Sequence, residues 1–243
     1  MNIDTAVILV AGIGSRLRPI TDDRPKALVD VGGETILARA VRLLASAGVA
    51  KLVLATGYRE DAVRRAMQDA PVALEYVRNP DFESTQNSVS LALCRQAVGP
   101  GAFFKLDGDV VFQRQVLERL TRSESELGVA VDSGRKLDAE AMKVKTEGTR
   151  ILAFGKGIPL AESAGESIGI ERVSAVLNGR LFEALDRARA RAEVGLYYED
   201  VYSQMIADHS LSAEKVDVSD LAWTEVDDPS DLARARALVA TGV

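Results

Sequence analysis

The pattern of hydrophobic and polar positions differs between the two halves of this chain, and it is more regular in the first half. An unbroken apolar run over residues 6–11 predicts a buried strand, and residues 35–47 place apolar side chains at helical spacing. A second strand over 51–55, a helix over 60–67 and a third strand over 72–77 follow. This alternation predicts an α/β fold with a parallel sheet and right-handed crossovers.

The regular pattern continues to about residue 125 and then changes. Before that point we expect a helix over 85–97 with Thr85 as N-cap, a buried strand over 102–106 and a helix over 115–122. Beyond it lie the following predicted elements: short strands over 128–131, 142–146, 151–154 and 167–173, helices over 179–192 and 199–207, strands near Val216 and over 223–226, and a closing helix from Ser230, its expected N-cap, towards Val239. We therefore expect a single domain over 1–243. It has a parallel half over 1–125 and a mixed half over 126–243, joined in a Rossmann-like, mainly parallel sheet flanked by helices, with a small β-rich subregion.

Composition narrows the function classes. Hydrophobic residues make up 47% and charged residues 27% of the chain, which is typical of a globular protein. A net charge of -6 argues against nucleic-acid or membrane-surface binding. No apolar run is long enough for a transmembrane span and no signal peptide is recognisable, so we expect a cytoplasmic protein.

The chain has too few cysteine and histidine residues for a disulfide or for a metal site built from these two residue types. The single cysteine, Cys94, excludes an internal disulfide and is expected on an apolar helix face. The single histidine, His209, lies in a polar segment and is expected at the surface. Any bound metal must therefore be held by carboxylates.

The loop that follows the first strand is suited to a polyphosphate. Gly12 and Gly14 allow close approach of backbone N–H groups, and Arg16, Arg18 and Lys26 supply positive charge. The pattern lacks the third glycine of a dinucleotide-binding loop and the Gly-Lys-Ser/Thr of a P-loop. In a parallel sheet this loop lies at the edge where ligands bind.

Two acidic segments are candidate metal ligands. Asp107-Gly108-Asp109 ends a predicted buried strand, and Glu225, Asp227 and Asp228 lie near the closing helix. Acids in such turns are usually solvated or cap a helix, an interpretation that suits Asp228. A nucleoside triphosphate arrives with magnesium, for which one or two carboxylates suffice as protein ligands.

Both parts of the loop together resemble a known signature. Ala-Gly-x-Gly-Ser-Arg-Leu over 11–17, a proline, and Pro-Lys-Ala-Leu over 25–28 are similar to the nucleotidyltransferases that activate sugar phosphates and related alcohol phosphates. The resemblance implies a GT-A-like fold, a nucleotide-binding half over 1–125 and an acceptor-binding half over 126–243. It also implies a Mg²⁺-dependent attack of a small phosphomonoester on a nucleoside triphosphate, with release of pyrophosphate.

The resemblance also implies roles for individual residues. Arg16 faces the β- and γ-phosphates, Lys26 faces the α-phosphate, and Asp109 and Asp227 bind the metal. These four are the predicted catalytic residues. The remaining predicted nucleotide-binding residues are Leu9, Ala11, Gly12, Gly14, Ser15, Gln86, Asn87, Ser88 and Asp107.

The subclass is predicted from Gln86-Asn87-Ser88, which stands where sugar-phosphate enzymes carry a glycine-rich base loop. This arrangement resembles the choline-phosphate cytidylyltransferases and their inositol-phosphate relatives, so CTP and phosphocholine are favoured. An inositol-1-phosphate cytidylyltransferase, a sugar-1-phosphate uridylyl- or thymidylyltransferase and a catalytically silent nucleotide-binding subunit stay open as alternatives.

The acceptor is expected to contact the second half. Lys156 resembles the family's acceptor-phosphate lysine, although Gly155 stands where the family has a glutamate, and Lys143 is a second candidate. A surface lysine is the alternative interpretation. The other predicted acceptor residues are Glu166, Tyr197, Tyr198, Glu199 and Asp200. The last four suit a cationic head group, or else a helix N-terminus. A homo-oligomer is also possible.

Overall fold

The computed structural model describes residues 3–242, and its central element is a sheet of nine strands in the order β3-β2-β1-β4-β9-β6-β10-β8-β7. The strands are β1 Thr5–Val10, β2 Lys51–Thr56, β3 Ala73–Arg78, β4 Phe103–Asp107, β5 Val110–Phe112, β6 Leu127–Asp132, β7 Val144–Glu147, β8 Arg150–Phe154, β9 Glu166–Val173, β10 Ala213–Asp217 and β11 Trp223–Glu225. Strands β5 and β11 form a separate antiparallel ribbon.

Helices flank the sheet on both faces. They are α1 Ile36–Ser46, α2 Glu60–Ala66, α3 Asn87–Leu93, α4 Arg95–Val98, α5 Gln115–Arg122, α6 Ala175–Ala190, α7 Tyr198–Ala207 and α8 Pro229–Ala240. Short 3-10 turns cover Ser15–Leu17, Lys26–Leu28 and Leu160–Glu162. Within residues 3–242, no helix has both the length and the apolar character needed to cross a membrane.

The strand directions confirm the predicted mixed, mainly parallel α/β fold. Strand β1 pairs in parallel with β2 and β4, and β2 pairs in parallel with β3. Strand β9 runs antiparallel between β4 and β6 and so joins strands of the first half to those of the second. A hairpin through Gly148 connects β7 and β8.

The side chains of β1 show why the sheet is covered on both faces. Val7 packs into one core with α3, α6 and α7, whereas Ala6 and Ile8 pack into another core with α1 and α5. Successive strand residues point to opposite faces, so an unbroken apolar run is what a strand between two helical layers requires.

A third, smaller core fixes the β5–β11 ribbon. Val111 of β5 and Val226, just after β11, are buried against Leu17, Val29 and Leu232. This core therefore joins the opening loop, the ribbon and α8.

The predicted helix over 85–97 is wrong at its start and in its continuity. Thr85 is not an N-cap: its hydroxyl donates to the Asp81 carbonyl over 2.9 Å and accepts from Asn79 over 2.9 Å. These bonds close a turn, and the helix begins at Asn87 and is interrupted at Cys94. Cys94 is buried at that junction.

Two other helix starts also differ from expectation. Asp228, rather than Ser230, caps α8, because its carboxylate accepts from the backbone N–H groups of Ser230 and Asp231. Helix α6 begins four residues earlier than predicted, at Ala175, because Ser174 caps it by accepting from the backbone of Leu177.

Gly108 allows the β4–β5 turn to pack against β1, and its replacement should destabilise the fold. A Cβ at this position would lie 2.5 Å from the Leu9 carbonyl oxygen and 2.6 Å from Val10 Cγ1. We expect Gly108→Ala to lower the free energy of unfolding by about 1–3 kcal/mol in urea denaturation.

The matched control is Gly179→Ala in α6, where a Cβ meets no atom within 4 Å. This change should be neutral or stabilising by up to about 1 kcal/mol. Equal effects of the two changes would contradict the packing role of Gly108.

Candidate active site

The opening loop closes over Lys26. Gly14 has a φ of 71°, and a Cβ there would lie 2.7 Å from Lys26 Cβ. The Thr21 hydroxyl donates to the Gly14 carbonyl over 2.8 Å and holds the loop in this position. A larger residue at Gly14 would therefore be strained and would push against the lysine.

Lys26 lies between two carboxylates from distant parts of the chain. Its Nζ is 2.6 Å from Asp109 Oδ2 and 2.5 Å from Asp227 Oδ1. Arg16 also contacts Asp227, with 2.7 Å between Nη2 and Oδ2. The structure thus brings the four predicted catalytic residues together.

Burial gives these charges more effect on one another than they would have in water. The side chains of Lys26, Asp109 and Asp227 are 17%, 20% and 23% exposed. Burial opposes the charged form of Lys26, but Asp109 and Asp227 outweigh it and raise the pKa of the lysine. Burial likewise opposes ionisation of Asp227, but Lys26 and Arg16 hold its pKa below the usual value. Lys26 and Asp227 are therefore both charged at neutral pH.

A third carboxylate, Glu225, joins this group. It lies in the second acidic segment of the sequence, but the resemblance implied a metal-binding role only for Asp109 and Asp227. Carboxylate oxygens of Asp109, Glu225 and Asp227 lie within 4.8 Å of one another. Burial and then the charges of Asp109 and Asp227 raise the pKa of Glu225 to about 9. The signal available in the sequence was spacing, because residues 225 and 227 of an extended segment point to the same side.

These carboxylates suit a divalent cation. Asp109 Oδ1 is buried and, among residues 3–242, has no hydrogen-bond partner. Three carboxylates face one lysine and one arginine, and hard divalent ions prefer oxygen ligands. The donor set therefore fits a metal ion that would take the free oxygen of Asp109.

A cleft of about 620 Å³ opens from this group of charges, with a recess of about 270 Å³ under the opening loop. Both parts are lined by residues that the sequence singled out. The predicted residues that line them are Leu9, Ala11, Gly12, Gly14, Ser15, Arg16, Lys26, Gln86, Asn87, Asp107, Asp109, Lys156, Glu166, Tyr197, Glu199 and Asp227.

Four predicted residues do not line the cleft. Ser88 donates to the Leu196 carbonyl over 2.6 Å, and an Asp200 oxygen accepts from the backbone of Tyr197 at the start of α7. Lys143 is buried and donates to the Lys156 carbonyl over 2.7 Å. Tyr198 is fully buried. These side chains already have protein partners, and a role for them in binding a ligand stays a prediction.

A cluster of buried polar side chains lies beneath the cleft. The sequence analysis did not identify its central residue, Lys105. Lys105 Nζ is 3.0 Å from Asp107 Oδ1, 3.1 Å from Glu171 Oε2 and 3.3 Å from the centre of the Tyr198 ring. The Tyr198 hydroxyl donates to Asp107 over 2.7 Å. The available signal was a lysine inside the apolar strand over 102–106, where an unpaired charge would be costly.

Comparison with known proteins identifies relatives that transfer nucleotides. A family model described as the MobA-like NTP transferase domain matches residues 6–205. The chain is 35% identical to a CMP-5'-(3-aminopropyl)phosphonate synthase of Streptomyces rubellomurinus over 95% of its own length and 38% of the relative's length. It is 25% identical to a 2-aminoethylphosphonate cytidylyltransferase of Lancefieldella rimae, over 94% of its own length and 90% of the relative's.

The similarity extends to solved structures. The inositol-1-phosphate CTP transferase from T. maritima superposes with a TM-score of 0.85 and 24% identity, covering 99% of this chain and 96% of that one. Several relatives are longer: the chain spans 44% to 53% of four bifunctional IPC transferase and DIPP synthases that it matches.

Removal of one carboxylate from the group at Lys26 should weaken binding of a divalent ion. We expect Asp109→Asn and Glu225→Gln each to raise the dissociation constant for Mn²⁺ roughly tenfold or more, because ligand charge sets the affinity. Isothermal titration calorimetry measures this constant directly.

Glu140→Gln is the control, since Glu140 lines the same cleft but pairs with Lys156 over 3.1 Å. Unchanged Mn²⁺ affinity in both test variants would show that these carboxylates are not the ligands.

Proposed function

We propose that this chain, which belongs to the family of MobA-like NTP transferase domains, transfers CMP from CTP to a small phosphate or phosphonate and releases pyrophosphate. The observation that carries the proposal is the position of Lys26 against Asp109 and Asp227, two carboxylates that line the cleft. CTP as donor is supported by the names of the Streptomyces and Lancefieldella relatives.

The reaction needs charge neutralisation more than it needs a base. An anionic oxygen of the acceptor attacks the α-phosphorus, a new P–O bond forms, and the bond between the α-phosphorus and the bridging oxygen of pyrophosphate breaks. The acceptor oxygen carries no proton that must be removed. The protein therefore has to hold two anions together and in line.

The residues of the cleft are suited to these tasks. Lys26 would neutralise charge at the α-phosphate, and Arg16 at the leaving phosphates. Asp109, Glu225 and Asp227 would hold Mg²⁺, which supplies further positive charge to the phosphates. Gly12 leaves room for a ligand, since a Cβ there would meet no protein atom within 4 Å.

The acceptor is proposed to lie towards the second half of the chain. Lys156 and Glu166 line that part of the cleft, and Lys156 would contact the acceptor phosphate or phosphonate. The relatives named above favour an aminoalkylphosphonate, and the sequence resemblance favours phosphocholine; inositol 1-phosphate is a third candidate. A sugar 1-phosphate with UTP or dTTP is the alternative in which the base also changes.

A pyrophosphate-release screen tests the proposal. The protein with Mg²⁺ is incubated with CTP, UTP, dTTP or ATP, each crossed with 2-aminoethylphosphonate, phosphocholine, inositol 1-phosphate and glucose 1-phosphate. We expect release with CTP and at least one acceptor. Binding of CTP without release in any combination would favour a silent nucleotide-binding subunit and overturn the proposal.

Lys26→Gln should lower kcat by about 10²–10³-fold, because it removes charge stabilisation at the reacting phosphate. Lys145→Gln is the matched control, since Lys145 pairs with Glu162 on the surface of β7. Circular dichroism confirms that both variants are folded. Equal activity of the two variants would remove Lys26 from the reaction.

A further inference from the structure

The part of the cleft lined by Glu199 contains more negative than positive charge. Asp107, Glu171 and Glu199 surround one cation, Lys105, which is fully buried. Lys105 pairs with Asp107 and Glu171 at 3.0 and 3.1 Å. Among residues 3–242, no salt bridge is made by Glu199.

Glu199 is therefore the carboxylate of this buried group that lacks a salt-bridge partner within the described part of the chain. Its side chain lines the cleft, the residue is only 4% exposed, and within the described residues its Oε2 has no hydrogen-bond partner. Burial and then the neighbouring Asp107 and Glu171 raise its pKa to about 8, although Lys105 opposes the shift. A buried carboxylate at a cleft is stabilised by a cation brought in with a ligand.

The nearby tyrosines do not offer a free aromatic surface. The face of Tyr198 is covered by Lys105 Nζ at 3.3 Å, and the Tyr197 ring lies 5.4 Å from Lys156 Nζ. A quaternary ammonium cannot donate hydrogen bonds and depends on aromatic faces. A primary ammonium, in contrast, donates three hydrogen bonds and suits an unpartnered carboxylate.

We propose that Glu199 binds a primary ammonium at the end of the acceptor opposite its phosphate or phosphonate, and so favours amino acceptors over those with a quaternary ammonium. The inference rests on the proposed function and names the substrate class that the cleft selects. Glu199 determines specificity through direct contact with the acceptor.

Four acceptors of similar size separate charge from shape. They are phosphoethanolamine, 2-aminoethylphosphonate, phosphocholine and ethyl phosphate, each assayed for pyrophosphate release with CTP. We expect kcat/KM for the two amino acceptors to exceed that for ethyl phosphate by roughly 100-fold or more, because a site built to bind a charged donor rejects the analogue that lacks it. Phosphocholine should fall at least about tenfold below phosphoethanolamine.

Glu199→Gln should raise KM for the amino acceptors by about 100-fold and leave KM for CTP and the rate with ethyl phosphate unchanged. Glu140→Gln, in the same cleft but paired with Lys156, should change all four acceptors alike. Equal rates of wild-type protein with ethyl phosphate and phosphoethanolamine would overturn the role of Glu199 and leave CMP transfer itself intact. Absence of release with every acceptor would instead refute the proposed function.

Discussion

The contact of Lys26 with Asp109 and Asp227 is the interaction on which the rest of the site depends. It connects three segments that are distant in sequence: the opening loop, the turn after β4 and the residues before α8. The small core of Val111, Val226 and Leu17 holds the same three segments beneath it. Apolar packing thus sets the positions of charges that would otherwise repel one another or remain in water.

The charges of the molecule are arranged around two lysines with different surroundings. Lys26 faces the cleft and has partners that a metal ion would also bind, whereas Lys105 is enclosed by β4, β9 and α7. A partly exposed ion pair can exchange partners when a ligand arrives, but a fully buried one is held in place by the cost of leaving its charges unpaired. Lys26 is therefore suited to exchange partners during a reaction, whereas Lys105 holds the side chains around it in fixed positions.

Much of the fold was predictable because its signals are local. The apolar run over 6–11 and the helical spacing over 35–47 define β1 and α1 to within a residue or so. We identified Lys26, Asp109 and Asp227 from sequence motifs, and the structure brings these three residues together. Glu225 and Lys105 could not be placed in this way, because their neighbours depend on which strands pair, and Glu225 is brought opposite Val110 by the pairing of β11 with β5. The direction of Tyr198 was also beyond prediction, since a position at the start of α7 does not reveal which side of the first turn is buried.

The β5–β11 ribbon has a consequence for the order in which the protein gains activity during synthesis. Strand β5 directly follows Asp109, while β11 and Asp227 emerge from the ribosome far later, and the backbone N–H of Val226 donates to the Asp109 carbonyl over 3.0 Å only when the two strands have paired. A nascent chain that ends before β11 therefore contains Lys26 and Asp109 but lacks Glu225 and Asp227. The group of carboxylates around Lys26 is completed only when this late segment pairs with β5.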